Sequence, residues 1–293
     1  MTSTSITDRI LRGNAGKAVA AAGGRSYFSP FRMPSPGYQS PFESRPGLRV
    51  APPALETVSV IVPFYNEEEC AEFVLRELVA CQPGAQIIAV DDGSKDRTWK
   101  ILRSVPGVTP LRLTQNRGQS GALYAGLRYA SGDILVMLDG DGQNDPADIA
   151  KLVELLRSGS CDVAVGRRAQ RRDTWSRRAA SRIANRVRRF FLHDGISDTG
   201  CSLKAIHRDH VDLLVPFNGL HRFLPAIFTH AGLAIAEIDV NHRERKAGTS
   251  KYTNLDRAIR GLYDLVGVCW LLKRKLVLPA LEEGTTTPPT AQG

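Results

Sequence analysis

Residues 134–143 read Ile-Leu-Val-Met-Leu-Asp-Gly-Asp-Gly-Gln. Five consecutive apolar side chains run straight into two aspartates separated by one glycine. So short and uniformly apolar a run predicts a strand buried on both faces, the mark of a parallel sheet. Its neighbours repeat the pattern. Val58-Ser59-Val60-Ile61-Val62 stops at Pro63, and Ile87-Ile88-Ala89-Val90 stops at Asp91-Asp92-Gly93-Ser94. Leu111-Arg112-Leu113 and Val163-Ala164-Val165 are shorter strand candidates. Helical spacing lies between them: Cys70, Val74, Leu78 and Val79 within 67–80, Trp99 and Leu102 behind an expected Ser94 N-cap, and Leu123, Leu127 and Tyr129 after Asn116-Arg117-Gly118. Strands alternating with helices predict an α/β fold, a mostly parallel sheet with helices on both faces.

In open sheets of this kind ligands bind beyond the carboxyl ends of the strands. Asp91-Asp92 and Asp139-x-Asp141-x-Gln143 should therefore meet at one edge. Crowded carboxylates repel unless a cation neutralises them, and oxygen ligands beside a diphosphate select Mg²⁺ or Mn²⁺. Gly140 and Gly142 let the backbone approach a bulky ligand. Two common nucleotide loops are missing. The turn after the first strand is Pro63-Phe64-Tyr65-Asn66-Glu67, not G-x-G-x-x-G, and no G-x-x-x-x-G-K-[ST] segment occurs.

The 293 residues are 42% hydrophobic and 24% charged, the balance of a soluble globular chain. Five scattered cysteines without a C-x-x-C pair argue against a disulfide framework or structural zinc and suit a cytosolic setting. No apolar run approaches the roughly 20 residues of a spanning helix, and no secretory signal opens the chain. Residues 1–56, rich in Ser, Gly, Ala and Pro, predict a disordered tail, with an organellar transit peptide as the minor alternative.

The formal charge is +9, and ten arginines with a single acid, Asp173, between 167 and 189 account for that surplus. Arg178, Arg182, Arg186 and Arg189 share one helical face, beside Ala179, Ile183, Val187 and Phe190. A basic face flanking an apolar one predicts a helix lying on an anionic membrane surface. Nucleic-acid binding is disfavoured, because aromatic interleaving is thin and no reader motif is present. A second amphipathic stretch, 255–276, carries Leu255, Ile259, Leu262 and Val266, then Trp270, and closes with Lys273-Arg274-Lys275. Arg260 and Asp264 interrupt it, so it predicts an in-plane interfacial helix or one packed on the domain's own core.

Six segments in ordered succession resemble glycosyltransferase family two: VSVIVPFYNEEE (58–69), AVDDGSKDRT (89–98), NRGQSGALYAG (116–126), LDGDGQNDP (138–146), DTGCSLKAI (198–206) and HRERKAGTSKY (242–252). They are most similar to the polyprenyl-phosphate sugar transferases, the dolichyl-phosphate mannosyltransferase type. The resemblance spans about residues 57–275. It implies a GT-A catalytic domain over 57–254; the residues themselves predict an amphipathic helix region over 255–281 and a flexible tail over 282–293, where relatives of this type often continue into membrane-spanning helices. The resemblance further implies a nucleotide-sugar donor and a divalent metal, Mg²⁺ or Mn²⁺. Carried across, Pro63, Tyr65 and Glu67 hold the nucleotide, Val90 and Asp92 complete the base pocket, and Asp139 and Gly140 touch the ribose and diphosphate. Asp141 and Gln143 ligate the metal, and Asp139 and Asp141 count with Arg167 as the catalytic set. Arg167 stands near the reacting phosphates, while Arg245 and Lys251 clamp the donor diphosphate. Arg167, Arg178, Arg182, Arg186 and Arg189 form the lipid-phosphate and membrane set.

The expected activity is metal-dependent, inverting transfer of a sugar to polyprenyl phosphate by a protein peripheral on the inner, cytoplasmic face of the membrane. An acceptor that is already an anion needs no strong general base. The alternatives are transfer to a saccharide hydroxyl and, from another class, a non-catalytic membrane-binding protein. His221-Arg222 forms a candidate acceptor-side pair. Cys201 reads as packed rather than reactive.

Overall fold

The apolar run ending at Leu138 lies at the middle of the sheet. In the structure, a computed structural model, residues 56–168, 186, 188–192, 194–244 and 254–274 are described, with side chains of the last segment from 261 onward. Seven strands, β1 (Val58–Phe64), β2 (Gln86–Asp91), β3 (Val108–Arg112), β4 (Ile134–Met137), β5 (Val163–Arg168), β6 (Lys204–His207) and β7 (Ile235–Val240), form one sheet in the order β3-β2-β1-β4-β6-β5-β7. All neighbours pair in parallel except β6, which runs antiparallel to both β4 and β5. The expected mostly parallel sheet is present, and β6 reverses between its neighbours so that its N-terminal end joins the carboxyl ends of the others.

Helices cover both faces. Along β1, Val60 and Val62 face a core shared with α1 (Ala71–Cys81), α2 (Thr98–Ser104) and α4 (Ile149–Arg157). Ile61 faces the opposite core, built from α3 (Gly118–Tyr129), α5 (Leu220–His230) and α6 (Asn254–Arg274). Alternate residues of one strand therefore serve two cores, which is why these strands read as continuous apolar runs.

Several local expectations shift, each for a hydrogen-bonding reason. Pro63 does not stop β1; it pairs in register with Val90. The β1–β4 ladder ends where the Leu138 N–H meets the Ile61 carbonyl, so the missing proline N–H falls beyond the last rung. The first helix starts at Ala71 rather than Glu67; the turn before it is held by the Glu67 N–H bonding Thr98 Oγ1 at 2.9 Å and the Glu67 carbonyl accepting the Ala71 N–H at 2.9 Å. Ser94 caps no helix; its Oγ accepts the Asn66 N–H at 3.0 Å, and α2 begins at Thr98. β3 begins earlier than Leu111, because Val108 and Thr109 find partners in Ile87 and Ile88.

α6 has two apolar sides. Leu265 and Val268 are buried against the sheet domain, whereas Leu262, Tyr263, Val266 and Trp270 are exposed. Among the described residues no helix is long and apolar enough to cross a membrane. Apart from Glu56, the N-terminal segment lies outside the described residues, as does 282–293.

Candidate active site

The loops leaving β1, β2 and β4 converge at one edge and are tied together by their own polar groups. Asn66, at φ 52°, accepts the Lys95 N–H at 2.9 Å, and Glu68 donates its N–H to Asp96 Oδ2 at 3.3 Å. Asp91 is wholly buried, accepts the Ser94 N–H at 3.0 Å and pairs with Arg112 Nε at 2.9 Å. Its role is to hold the turn. Asp92 accepts the Arg117 N–H at 2.7 Å; burial holds its carboxyl above the ordinary range, against backbone N–H groups of Arg117 and Gly118 that pull it down. Tyr65 is exposed, and Pro63 and Glu67 are half-buried beside it. Val90, expected to complete the base pocket, is wholly buried and packs against the position of Gly126.

The β4 loop carries the acids. Gly140 is wedged under Phe64: a Cβ there would fall 2.5 Å from the Phe64 ring and 2.8 Å from the Pro63 carbonyl oxygen. Gly142 turns the chain at φ 75°, a conformation that favours glycine. Asp139 and Asp141 are thus set on a backbone with no slack. Asp139 is half-buried, accepts a hydrogen bond from Gln119 Nε2 at 2.5 Å, and donates its N–H to Ser202 Oγ at 3.2 Å. Burial first, and the like charge of Asp141 second, push its carboxyl up to about 6 against the pull of Lys204, Ser202 and Arg168. Asp141 accepts the Gln143 N–H at 3.1 Å. The Gln143 amide nitrogen donates to the Arg243 carbonyl at 3.4 Å.

Among the described residues no three His, Cys, Asp or Glu side chains are arranged to hold an ion unaided. Two acids, one of them destabilised as an anion, and an amide oxygen nevertheless fit a cation that takes the rest of its shell from phosphate and water. The chain reaches 245–251 from this point: Asn144 bridges His242, and Arg243 clamps Glu77 at 2.7 Å and Asp145 at 2.9 Å. Arg245 and Lys251 themselves lie outside the described residues.

Behind the acids is a cavity of about 230 Å³ with cations in its wall, lined by Gln119, Asp139, Ser202, Lys204, His221 and Arg222 among others. Lys204, in register with Met137, is 3% exposed and donates to the Cys201 carbonyl. Burial draws its ammonium pKa down, while Cys201, Asp139 and Asp198 push it back up. His221 Nδ1 meets Ser120 Oγ at 2.8 Å; burial and then Arg222 drive the ring down to about 3, so it is neutral. Cys201 is buried and its thiol is raised by burial, an inert position.

Arg167 does not line this cavity. Its Nε bonds Asp239 at 2.7 Å, both side chains about half exposed. The next residue points to the other side of β5: Arg168 makes a bidentate pair with Asp198, 2.7 Å at each nitrogen, and is close enough to lower the Asp139 pKa. Arg168 does not line the cavity either; strand alternation turns it towards Asp198 instead. Of the basic segment, Arg186, Arg189, Phe190 and Phe191 are exposed, but Arg188 is buried and paired with Asp194 at 2.8 Å. Arg178 and Arg182 lie outside the described residues. Lys204, Gln119 and Arg168 were assigned no role by sequence reasoning. The DTGCSLKAI block carries the first, the NRGQSGALYAG block the second, and the third stands in the basic segment 167–189.

Comparison with known proteins places these features. The family model described as "Glycosyl transferase family 2" matches residues 59–214, just over half of the chain. An undecaprenyl-phosphate 4-deoxy-4-formamido-L-arabinose transferase of Edwardsiella ictaluri (strain 93-146) is 38% identical over 221 residues, 72% of this chain and 67% of the relative. The protein of that name from Enterobacter sp. (strain 638) is 36% identical over 222 residues, 73% of this chain and 67% of the relative. The glucosyl-3-phosphoglycerate synthase of Mycobacterium tuberculosis, solved with Mn²⁺, UDP-glucose and phosphoglyceric acid, superposes with a TM-score of 0.60 at 22% identity. That match covers 73% of this chain and 80% of the other, and it establishes the shared fold.

Proposed function

The chain belongs to glycosyl transferase family 2, and from that premise we propose that it transfers a sugar from a nucleotide-sugar donor to polyprenyl phosphate at the inner, cytoplasmic face of a membrane. One observation carries the reading: Asp139, the first of the two acids that follow β4 and close enough to feel the charge of Asp141, lines a cavity walled by Lys204 and Arg222. Acids suit a metal-bound diphosphate, and cations suit a phosphate acceptor. The relatives' name, with undecaprenyl phosphate as acceptor, supports the same reading.

The nucleotide lies along Pro63, Tyr65, Glu67 and Asp92, with Tyr65 offering its flat face. Asp141 and Gln143 hold a divalent ion, Mg²⁺ or Mn²⁺, which when bound offsets charge on the departing nucleoside diphosphate. Asp139 and Gly140 fix the edge of the donor, and Gln119 orients the Asp139 carboxylate. Arg245 and Lys251 close over the diphosphate. The acceptor phosphate is already ionised, so the cavity has only to align it and balance its charge. His221, held neutral, suits that task because it accepts no proton at neutral pH. Displacement is in-line at the anomeric carbon, with inversion. Arg178, Arg182, Arg186 and Arg189, with exposed Phe190, rest on anionic lipid.

The test is incubation with polyprenyl phosphate, Mn²⁺ and a panel of labelled nucleotide sugars, followed by organic extraction. Label in the organic phase that disappears in Asp141→Ala is expected. Label on added water-soluble glycan would select the hydroxyl-acceptor reading, and none with any donor would leave a membrane-binding protein.

A further inference from the structure

The segment that follows the acids is laced to α1 along one face of that helix. Cys70, at the head of α1, donates its thiol to the Gly140 carbonyl at 3.3 Å. One turn on, Val74 packs against Gly142, 3.4 Å from where a Cβ would stand. Another turn brings Glu77, and past the helix end Gln82 donates its amide to the Pro146 carbonyl at 2.8 Å. Positions 70, 74 and 77 are neighbours on a helix surface, so α1 lies along residues 140–146 as a splint. Glu77 reaches that segment through Arg243, a residue beyond the end of β7, whose Nη1 stands 2.7 Å from Glu77 and whose Nη2 stands 2.9 Å from Asp145. The backbone repeats the link: the Arg243 N–H donates to the Gln143 carbonyl at 2.8 Å, and the Arg243 carbonyl accepts the Gln143 amide at 3.4 Å. Resting on the reading that Asp141 and Gln143 hold the divalent ion, we propose that Arg243 is a positioning residue for that ion, pinning the 141–145 turn to α1 through Glu77.

Geometry separates this brace from an ordinary surface pair. The side chains of Arg243, Glu77 and Asp145 are 31, 23 and 19% exposed, against 62 and 55% for the Arg76–Glu72 pair on the same helix, so solvent screens them less. Acids on two elements answer two arms of one planar guanidinium, a task that a single ammonium cannot perform. Gln143 is held at both main chain and side chain by the residue that reaches α1. With few ligands supplied by the protein, the spacing of Asp141 and Gln143 decides how well an ion is held, and that spacing belongs to the turn.

Mn²⁺ binding to the full chain is read directly, as loss of the free-ion EPR signal on titration in the presence of UDP and, separately, of GDP. Arg243→Gln and Glu77→Gln each weaken it about tenfold, the low end for losing an outer partner of a metal ligand. Both break one linkage, so the double variant binds no more weakly than Arg243→Gln alone. Arg243→Lys keeps one of the two ion pairs and loses only about threefold. Arg76→Gln, which breaks the exposed pair on α1, binds as the wild type does. In the transfer assay the Mn²⁺ concentration for half activity rises by the same factors, while kcat at saturating Mn²⁺ stays within about twofold, a split that general loosening of the fold does not produce. Wild-type Mn²⁺ affinity in Arg243→Gln and Glu77→Gln overturns the proposal and leaves the transferase reading standing. So does a loss confined to Arg243→Gln, or losses that add in the double variant, since Arg243 then acts without α1. Should Arg243→Gln fail to fold, the Glu77→Gln titration decides alone. A wild type that binds no Mn²⁺ with either nucleotide removes the metal from the proposed function, and this proposal falls with it.

Discussion

Replacing Asp139 by Asn should stabilise the metal-free protein while abolishing its activity. The carboxyl sits at about 6 instead of its ordinary 3.8, chiefly because of burial and secondarily because of Asp141. That rise corresponds to about 3 kcal/mol of disfavoured charge. The side chain is only half-buried at the cavity, so water screens part of it and about 1–3 kcal/mol is the working range. Between pH 3.8 and about 6 the folded protein binds more protons at this site than the unfolded chain. Stability therefore falls as pH rises through that window and is level above it. Asparagine keeps the shape and an amide oxygen for Gln119 but carries no charge. Thermal unfolding with a chelator present should show Asp139→Asn melting about 3–10 °C higher above about pH 7. The gain should shrink towards nothing near pH 4. Adding Mn²⁺ with a nucleoside diphosphate should raise the wild-type Tm and leave the variant unmoved. A variant that melts lower at neutral pH, or gains equally at both pH values, would refute the argument that this acid is held against its own preference.

Gly140→Ala places a methyl 2.5 Å from the Phe64 ring, and a loss of about 1–3 kcal/mol is expected in denaturant unfolding, along with weakened donor binding by calorimetry. Arg168→Ala strands the buried Asp198 carboxylate and should cost about 3–5 kcal/mol, which Arg168→Lys does not restore because it cannot make the bidentate pair. Arg167→Ala removes an exposed pair and should cost under about 1 kcal/mol, so chemical denaturation of the two variants separates the two arginines. Exchanging exposed Leu262 and Val266 together for Ser should weaken sedimentation with anionic liposomes by about tenfold or more, with Tm unchanged.

Most of the sheet was legible because β1, β2 and β4 announce themselves as apolar runs ending in acids or proline. β6 was not. Lys204-Ala-Ile-His207 has neither the length nor the periodicity of a strand, and its pairing partners lie about 70 residues away in β4 and about 40 away in β5. It is a strand because the gap between those two needs one. The acids of the site were legible for the same reason as the strands, since they follow them directly. The cations were less so, because Lys204, Arg168 and Arg222 come from three separate elements.

Chemical identity along the chain was enough to establish that acids end a buried strand, that a glycine stands between them, and that positive charge gathers between 167 and 189. Those are properties of neighbours in sequence, where spacing alone fixes which side chains can meet. Whether Arg167 or Arg168 turns inward, whether Val90 is reachable, and which side of α6 stays bare depend on packing between distant segments. Burial and pairing are set there by three-dimensional neighbours, and no local pattern encodes them. The same holds for the Asp139 carboxyl: its neighbour Asp141 is written beside it, but the enclosure that raises its pKa exists only once the strands have closed around it.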